Sequence, residues 1–123
     1  MEITRKGSAP TLSRPGVQSE QLVFPENSPS HRVTITRVTV SPRAINATHR
    51  HASSEQVWVA LAGSGTLLLD DERTEPFAAG DVARFSDGDL HGLRNTGETP
   101  FVYIAVTSPP IDFRAAYNRS SES

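Results

Sequence analysis

The sequence predicts an all-β domain, either a sandwich or a barrel. Short runs rich in Val, Ile, Thr and Phe recur, separated by Gly-, Asp- or Pro-containing turns every eight to twelve residues. No segment carries a convincing helical period. Within this strand-rich chain, Thr48-His49-Arg50-His51 sets two histidines one residue apart. In extended backbone, residues i and i+2 point to the same face, so both imidazoles aim at one place.

The elements follow in chain order. Residues 1–30 are expected to form an irregular N-terminal arm, because their polar beginning is broken by Gly7, Pro10, Pro15 and Gly16. Residues 32–40 alternate and are β-branched, which predicts a strand that Pro42 ends. Val57 to Leu61 is a second strand, and Gly63-Ser64-Gly65 turns the chain into Thr66 to Leu69. Asp70-Asp71-Glu72 is a turn. Gly80-Asp81 opens a strand over Val82 to Phe85, and Ser86-Asp87-Gly88-Asp89 turns into a short strand from His91 to Asn95. Thr96-Gly97-Glu98 leads to Phe101 to Val106, and Pro109-Pro110 stops the sheet. The barrel is expected over 31–113, one turn of helix over 111–118, and a loose tail over 114–123.

Composition narrows the function. A chain of 123 residues is one domain with room for a core. A net charge of −2 offers no basic footprint for nucleic acid. No apolar run reaches the roughly 18 residues that cross a bilayer, so no membrane partner is expected. The first residues lack a hydrophobic signal-peptide core, which predicts a cytoplasmic protein. The absence of cysteine removes disulfides, thiolate ligands and Cys nucleophiles together. Any metal must then be held by nitrogen and oxygen. His91, in Gly88-Asp89-Leu90-His91-Gly92-Leu93-Arg94-Asn95, supplies a third imidazole.

These residues fall into two motifs. The first reads Arg43-x5-His49-Arg50-His51-Ala52-Ser53-Ser54-Glu55-Gln56-x6-Gly63, and the second reads Gly80-x5-Ser86-Asp87-Gly88-x2-His91-x3-Asn95. Together they resemble the paired motifs of the cupins, G-x5-H-x-H-x3,4-E-x6-G and G-x5-P-x-G-x2-H-x3-N. The chain departs from the family pattern at Arg43, where glycine is usual, and at Ser86, where proline is usual. The resemblance covers about residues 33–107 and is closest to the small single-domain cupins, many of which are loosely labelled mannose-6-phosphate isomerase-like. It implies a jelly roll (a double-stranded β-helix, or RmlC-like barrel) holding one divalent transition metal such as Fe, Mn, Ni, Zn or Co. It also implies a homodimer.

The family's third ligand is a glutamate after the H-x-H pair, and two residues compete for that place here. Glu55 has the chemistry, but leaves seven residues before Gly63. Gln56 leaves the usual six. The glycine fixes the end of the strand, so counting from it favours Gln56. Strand faces argue the other way. Gln56 shares a face with Trp58 and Ala60, whereas Glu55 shares one with Val57, Val59 and Leu61, which looks more like an interior. The expected metal set is His49, His51, Gln56 and His91. With a neutral glutamine in the set, the ion keeps its full charge, attracts an anionic oxygen and acts as a stronger Lewis acid.

Other residues are read conservatively. Trp58 belongs to the core or an interface, and Phe101 and Tyr103 are core with a claim on the pocket wall. Arg84 is either a carboxylate contact or a surface residue. Arg94 points away from His91, Asn95 pins the turn at Thr96-Gly97, Asp87 and Asp89 are turn residues, and His31 is solvated. Three readings of function follow. The first is a metal-dependent enzyme (dioxygenase, isomerase or lyase) on a small organic acid, sugar or aromatic compound. The second is a non-catalytic small-molecule binding or sensing domain, and the third is a barrel with a vestigial site.

Overall fold

The computed structural model describes residues 1–111, and the expected helical turn and C-terminal tail lie outside them. Ten strands alternate along the chain: β1 (Thr11–Arg14), β2 (Val17–Val23), β3 (Thr34–Val40), β4 (Ile45–His49), β5 (Glu55–Ala62), β6 (Ser64–Leu69), β7 (Thr74–Ala78), β8 (Val82–Phe85), β9 (His91–Asn95) and β10 (Phe101–Ser108). Asp70–Glu72 is a single 3-10 turn, and no α-helix occurs among the described residues. The strands form two antiparallel sheets, ordered β1-β2-β3-β10-β5-β8 and β4-β9-β6-β7. This is the all-β jelly roll expected from the sequence.

The inner faces of the two sheets meet in one core of Val17, Val38, Val40, Trp58, Ala60, Leu67, Phe77, Phe85, Leu93, Phe101, Tyr103 and Ala105. Complete burial of a side chain such as Leu93 or Phe101 contributes about 1.5–3 kcal/mol. The core fills one end of the barrel. Towards the other end the inner face turns polar, with Ser19 and Gln21 on β2, Thr34 and Thr36 on β3, Thr107 on β10 and Gln56 on β5 all buried.

Several expectations need correction. Residues 1–30 are not wholly irregular: β1 and β2 form a hairpin, and β2 pairs with β3 from Val17↔Val40 onwards. The signal was hidden because β2 turns Val17, Ser19 and Gln21 inward, and two of these three are polar. Hydrophobic alternation cannot register such a strand. β7 escaped for a different reason: Pro76 lies within it. The strand is at an edge, where the missing N–H costs no ladder bond. The expectation that Val57, Val59 and Leu61 face the interior is also overturned. Gln56, Trp58 and Ala60 are buried at 2%, 1% and 2% exposure, whereas Leu61 is 49% exposed.

Candidate metal centre

The H-x-H pair reaches the interior through a bulge. β4 pairs with β9 as Ile45↔Arg94 and Asn46↔Leu93, then slips, so that His49 stands opposite His91. An extra residue in one strand flips the alternation. Asn46 and His49 therefore share the inward side although three positions separate them. The slip needs Gly92 on the facing strand. A Cβ there would lie 2.8 Å from Asn46 O and 2.9 Å from Thr48 N. Arg43, where the family motif carries glycine, holds a left-handed backbone with φ of 68°. That conformation explains the preference for glycine, and an arginine there costs about 1–2 kcal/mol.

Three imidazoles converge. Ring centroids are 4.9 Å apart for His49–His51, 4.4 Å for His49–His91 and 5.4 Å for His51–His91. One nitrogen from each lies within 4.8 Å of the others. Backbone carbonyls set the tautomers: His49 Nδ1 donates to Ala47 O at 2.9 Å, and His91 Nδ1 donates to Asp89 O at 2.8 Å. Each Nε2 is thus left as a lone pair, as metal ligation requires. His91 is held between rings, stacked on Phe85 at 4.5 Å and edge-on to Trp58 at 5.4 Å. Burial pushes the His91 imidazole down to about 3, and neighbouring His49 adds to that push. Burial also lowers His49, with the Arg14 guanidinium acting in the same direction. Both rings are therefore neutral at pH 7.

Gln56 and Glu55 part company here. Glu55 is exposed and pairs with Arg84 at 3.0 Å on the outer face. Gln56 points inward. Its Oε1 accepts from Trp58 Nε1 at 2.9 Å, and its Nε2 donates to Thr107 Oγ1 at 2.8 Å. The Trp58 N–H fixes the amide orientation, because a flipped amide would set two donors against each other. Gln56 Oε1 also lies 3.1 Å from His91 Nε2. With His91 neutral and its proton on Nδ1, both atoms are acceptors and no proton lies between them. Two acceptors this close, with no proton between them, call for a cation that both can bind. Two ligand atoms at right angles on an ion with about 2.1 Å bonds stand about 3 Å apart. The donor set therefore fits a divalent ion. Such an ion, when bound, would supply Lewis-acid or oxygen chemistry at its open positions.

Outward-facing groups brace the site. Arg50, between the two histidines, donates to Gly88 O and to Asp70, both at 3.3 Å. Asp70 Oδ2 accepts from Leu90 N at 2.9 Å, and Gly88 N donates to His51 O at 2.8 Å. These bonds hold the loop before His91 against the H-x-H strand. In the sequence Asp70 reads only as a turn residue, since nothing in its neighbourhood announces a partner 20 residues away. Asn95 does pin its turn: Oδ1 accepts from Gly97 N, and Nδ2 donates to Val40 O and Thr99 O. Arg94 is exposed and His31 lies on the surface, as expected. Tyr103 is core, 1% exposed, and its hydroxyl accepts from Asn46 Nδ2 at 2.7 Å. Across the interior, Thr34 Oγ1 is buried with no hydrogen-bond partner among the described residues. The buried polar residues are Ser, Gln, Thr, Asn and His; none among the described residues is acidic.

A jelly roll with an inward-facing histidine triad defines a class, and comparison with known proteins places the chain within it. Residues 36–107 match the Cupin domain family, and the chain belongs to that family. It is 30% identical over 70 residues to the oxalate-binding protein of Thermotoga maritima, a match covering 57% of each chain. Its fold resembles that of KdgF from Halomonas sp., with a TM-score of 0.79, 16% identity, and coverage of 93% of this chain and 98% of that one. An RmlC-like cupin from Shewanella frigidimarina aligns with a TM-score of 0.76 and 18% identity, covering 91% and 94%.

Proposed function

We propose that this cupin holds one divalent transition metal through His49, His51, Gln56 and His91, and that the metal serves a reaction on a small organic acid. The observation that carries the reading is the pair of acceptors, Gln56 Oε1 and His91 Nε2, facing each other across 3.1 Å. The metal's identity among Fe, Mn, Ni, Zn and Co is left to analysis of the purified protein. A set of three imidazoles and an amide is neutral, so the bound ion keeps its full positive charge and favours a carboxylate or enolate oxygen. The polar inner wall of Thr34, Thr36, Thr107, Ser19 and Gln21 suits a small hydroxylated or carboxylated ligand better than an apolar one. The absence of buried carboxylates among the described residues leaves acid–base and redox work to the metal and its bound solvent.

A second reading is that the site binds its ligand without turnover. The name of the Thermotoga maritima relative, an oxalate-binding protein, favours it. A thermal-shift screen of organic acids, sugar acids and aromatic acids on metal-loaded protein, followed by product analysis on each hit, separates the two. Hits that are consumed support the enzyme; hits that bind and persist support the binding protein. Failure of the purified protein to bind any divalent ion removes both.

We further propose a homodimer that covers the outer face of the six-stranded sheet. Val57, Val59, Val102, Ile104 and Val106 line that face, beside Leu61 and Val82 at 49% and 63% exposure. A contiguous apolar face of this kind is commonly an interface. Light scattering should return twice the chain mass, and Val59→Glu should return the monomer. The absence of cysteine fits a reducing compartment, and the cytoplasm is the proposed location.

A further inference from the structure

We propose that Thr34 reads the far end of the bound ligand and selects a neutral hydroxyl there, so that the acid held at the metal is a hydroxy acid and not a dicarboxylate. The inference rests on the metal-and-organic-acid reading above and narrows its substrate class. β3 turns Thr34, Thr36, Val38 and Val40 inward. Thr34 opens the strand and is 1% exposed. It pairs with Thr107 on β10, and Thr107 pairs with Gln56 on β5. Directly opposed residues of antiparallel strands set their side chains on one face. Thr34, Thr107 and Gln56 therefore form one row across the inner wall, at the level of the Gln56 ligand. Val40 and Phe101, paired on the same two strands, stand at the other, apolar end. Neighbouring strands are about 4.8 Å apart, so the Thr34 backbone is about 10 Å from that of Gln56.

The hydrogen bonds of this row stop short of Thr34. Gln56 Nε2 donates to Thr107 Oγ1 at 2.8 Å. Thr34 Oγ1 is buried and has no hydrogen-bond partner among the described residues. A hydroxyl taken out of water and left unpaired destabilises a fold, and valine, which has nearly the same shape, would avoid that cost. The chamber thus keeps a hydroxyl where packing alone favours valine, and a ligand that supplies the missing partner accounts for it. The place of Thr34 in the row decides what that partner is. An acid whose head group sits on the ion lies at the Gln56 end, and a short carbon chain leads from there along the row to Thr34. The buried polar residues among the described residues are Ser, Gln, Thr, Asn and His, with no Lys or Arg. A second carboxylate at the Thr34 end would be buried without a counter-charge, which is costly. A hydroxyl carries no charge, and it can donate to Thr34 Oγ1 or accept from it.

The test uses the full chain loaded with Co(II) and a set of four-carbon 2-hydroxy acids that differ only at C4: 2-hydroxybutanoate with a methyl, 2,4-dihydroxybutanoate with a hydroxymethyl, and malate with a carboxylate. Co(II) per chain is measured first, and binding of each acid is then followed through the cobalt absorption bands. Wild type should bind one Co(II) and hold 2,4-dihydroxybutanoate about 10-fold more tightly than 2-hydroxybutanoate, with malate no tighter than the latter. Thr34→Val should keep its Co(II) and its affinity for 2-hydroxybutanoate, yet lose the preference for the second hydroxyl. Thr34→Ser, which restores a hydroxyl, should regain most of that preference. Thr34→Ala takes the place of Thr34→Val if the latter does not fold. A preference unchanged in the variant without the hydroxyl overturns the role of Thr34 and leaves the metal site standing. Equal affinity of wild type for the methyl and hydroxymethyl acids, as when solvent serves Thr34, also overturns that role alone, and so does malate binding most tightly. Wild-type protein that binds Co(II) but none of these acids overturns the organic-acid reading and the proposal together. Wild-type protein that binds no Co(II) overturns the metal reading and the proposal with it.

Discussion

Gln56 Oε1 and His91 Nε2 lie 3.1 Å apart, both of them acceptors with no proton between them. Trp58 and Thr107 hold the glutamine, Asp89 O holds the histidine, and burial keeps the imidazole neutral. Every group that sets this orientation sits on a strand or a tight turn, so the two acceptors are preorganised for a shared cation.

Gln56 should therefore matter to metal affinity, and Glu55 should not. Gln56→Ala is expected to weaken divalent metal binding about 10- to 100-fold, in the range seen when a supporting ligand or its partner is lost. Glu55→Ala removes only an exposed pair with Arg84, worth about 0–1 kcal/mol, and should leave metal affinity within about two-fold. Competition against a chromogenic chelator measures both. Equal losses, or a larger loss in Glu55→Ala, would show that Gln56 is not a ligand.

Gly92→Ala should damage the site without touching a ligand. The added methyl would meet Asn46 O and Thr48 N inside 3.0 Å, and that backbone is the bulge that turns His49 inward. Overpacking of this kind costs about 1–3 kcal/mol. The expected result is a lower melting temperature together with loss of bound metal. A variant that melts lower yet binds metal normally would mean that the bulge does not position His49.

These cases show which parts of the molecule could be read in the sequence. β8 and β9 were bounded to the residue because Phe85 and Leu93 point into the core and the flanking turns carry Gly and Asp. β2 was lost because its inward residues include Ser19 and Gln21. The histidines were found from spacing alone, and spacing also favoured Gln56. The hydrophobicity of the two faces of β5 pointed the wrong way. The valine face is the outer one, and the polar Gln56 is tolerated inside because Trp58 and Thr107 satisfy its amide oxygen and nitrogen. Asn46 and Asp70 left no trace in the sequence. Their roles come from contacts 20 or more residues away, one of them across a register slip.

Stability of the metal-free protein should fall in acid. The His91 pKa of about 3 lies below the ordinary histidine value of 6.5, and that of His49 is lowered too. The unfolded chain then takes up protons at a higher pH than the folded one. The stabilising contribution of these rings is complete above pH 6.5 and is lost progressively as pH drops towards 3. Melting of metal-free protein at pH 7.5, 6 and 5 should show a steady decrease, and His91→Gln should flatten it. A profile that stays flat or rises towards pH 5 would contradict buried, neutral imidazoles.

Metal should stabilise the fold, and a chelator should reverse that. Saturation at about 100 times the dissociation constant adds about 2.7 kcal/mol, which is several degrees of melting temperature in a domain of this size. His49→Ala should abolish the shift. A metal-induced shift of equal size in His49→Ala would place the ion elsewhere.

The most direct test is an anomalous difference map from crystals of the protein loaded with one divalent metal. A single peak is predicted within about 2.3 Å of Nε2 of His49, His51 and His91 and of Gln56 Oε1, with one or two remaining positions taken by solvent or ligand. A peak away from these four atoms, or a chamber with no peak in protein exposed to saturating metal, would contradict the account.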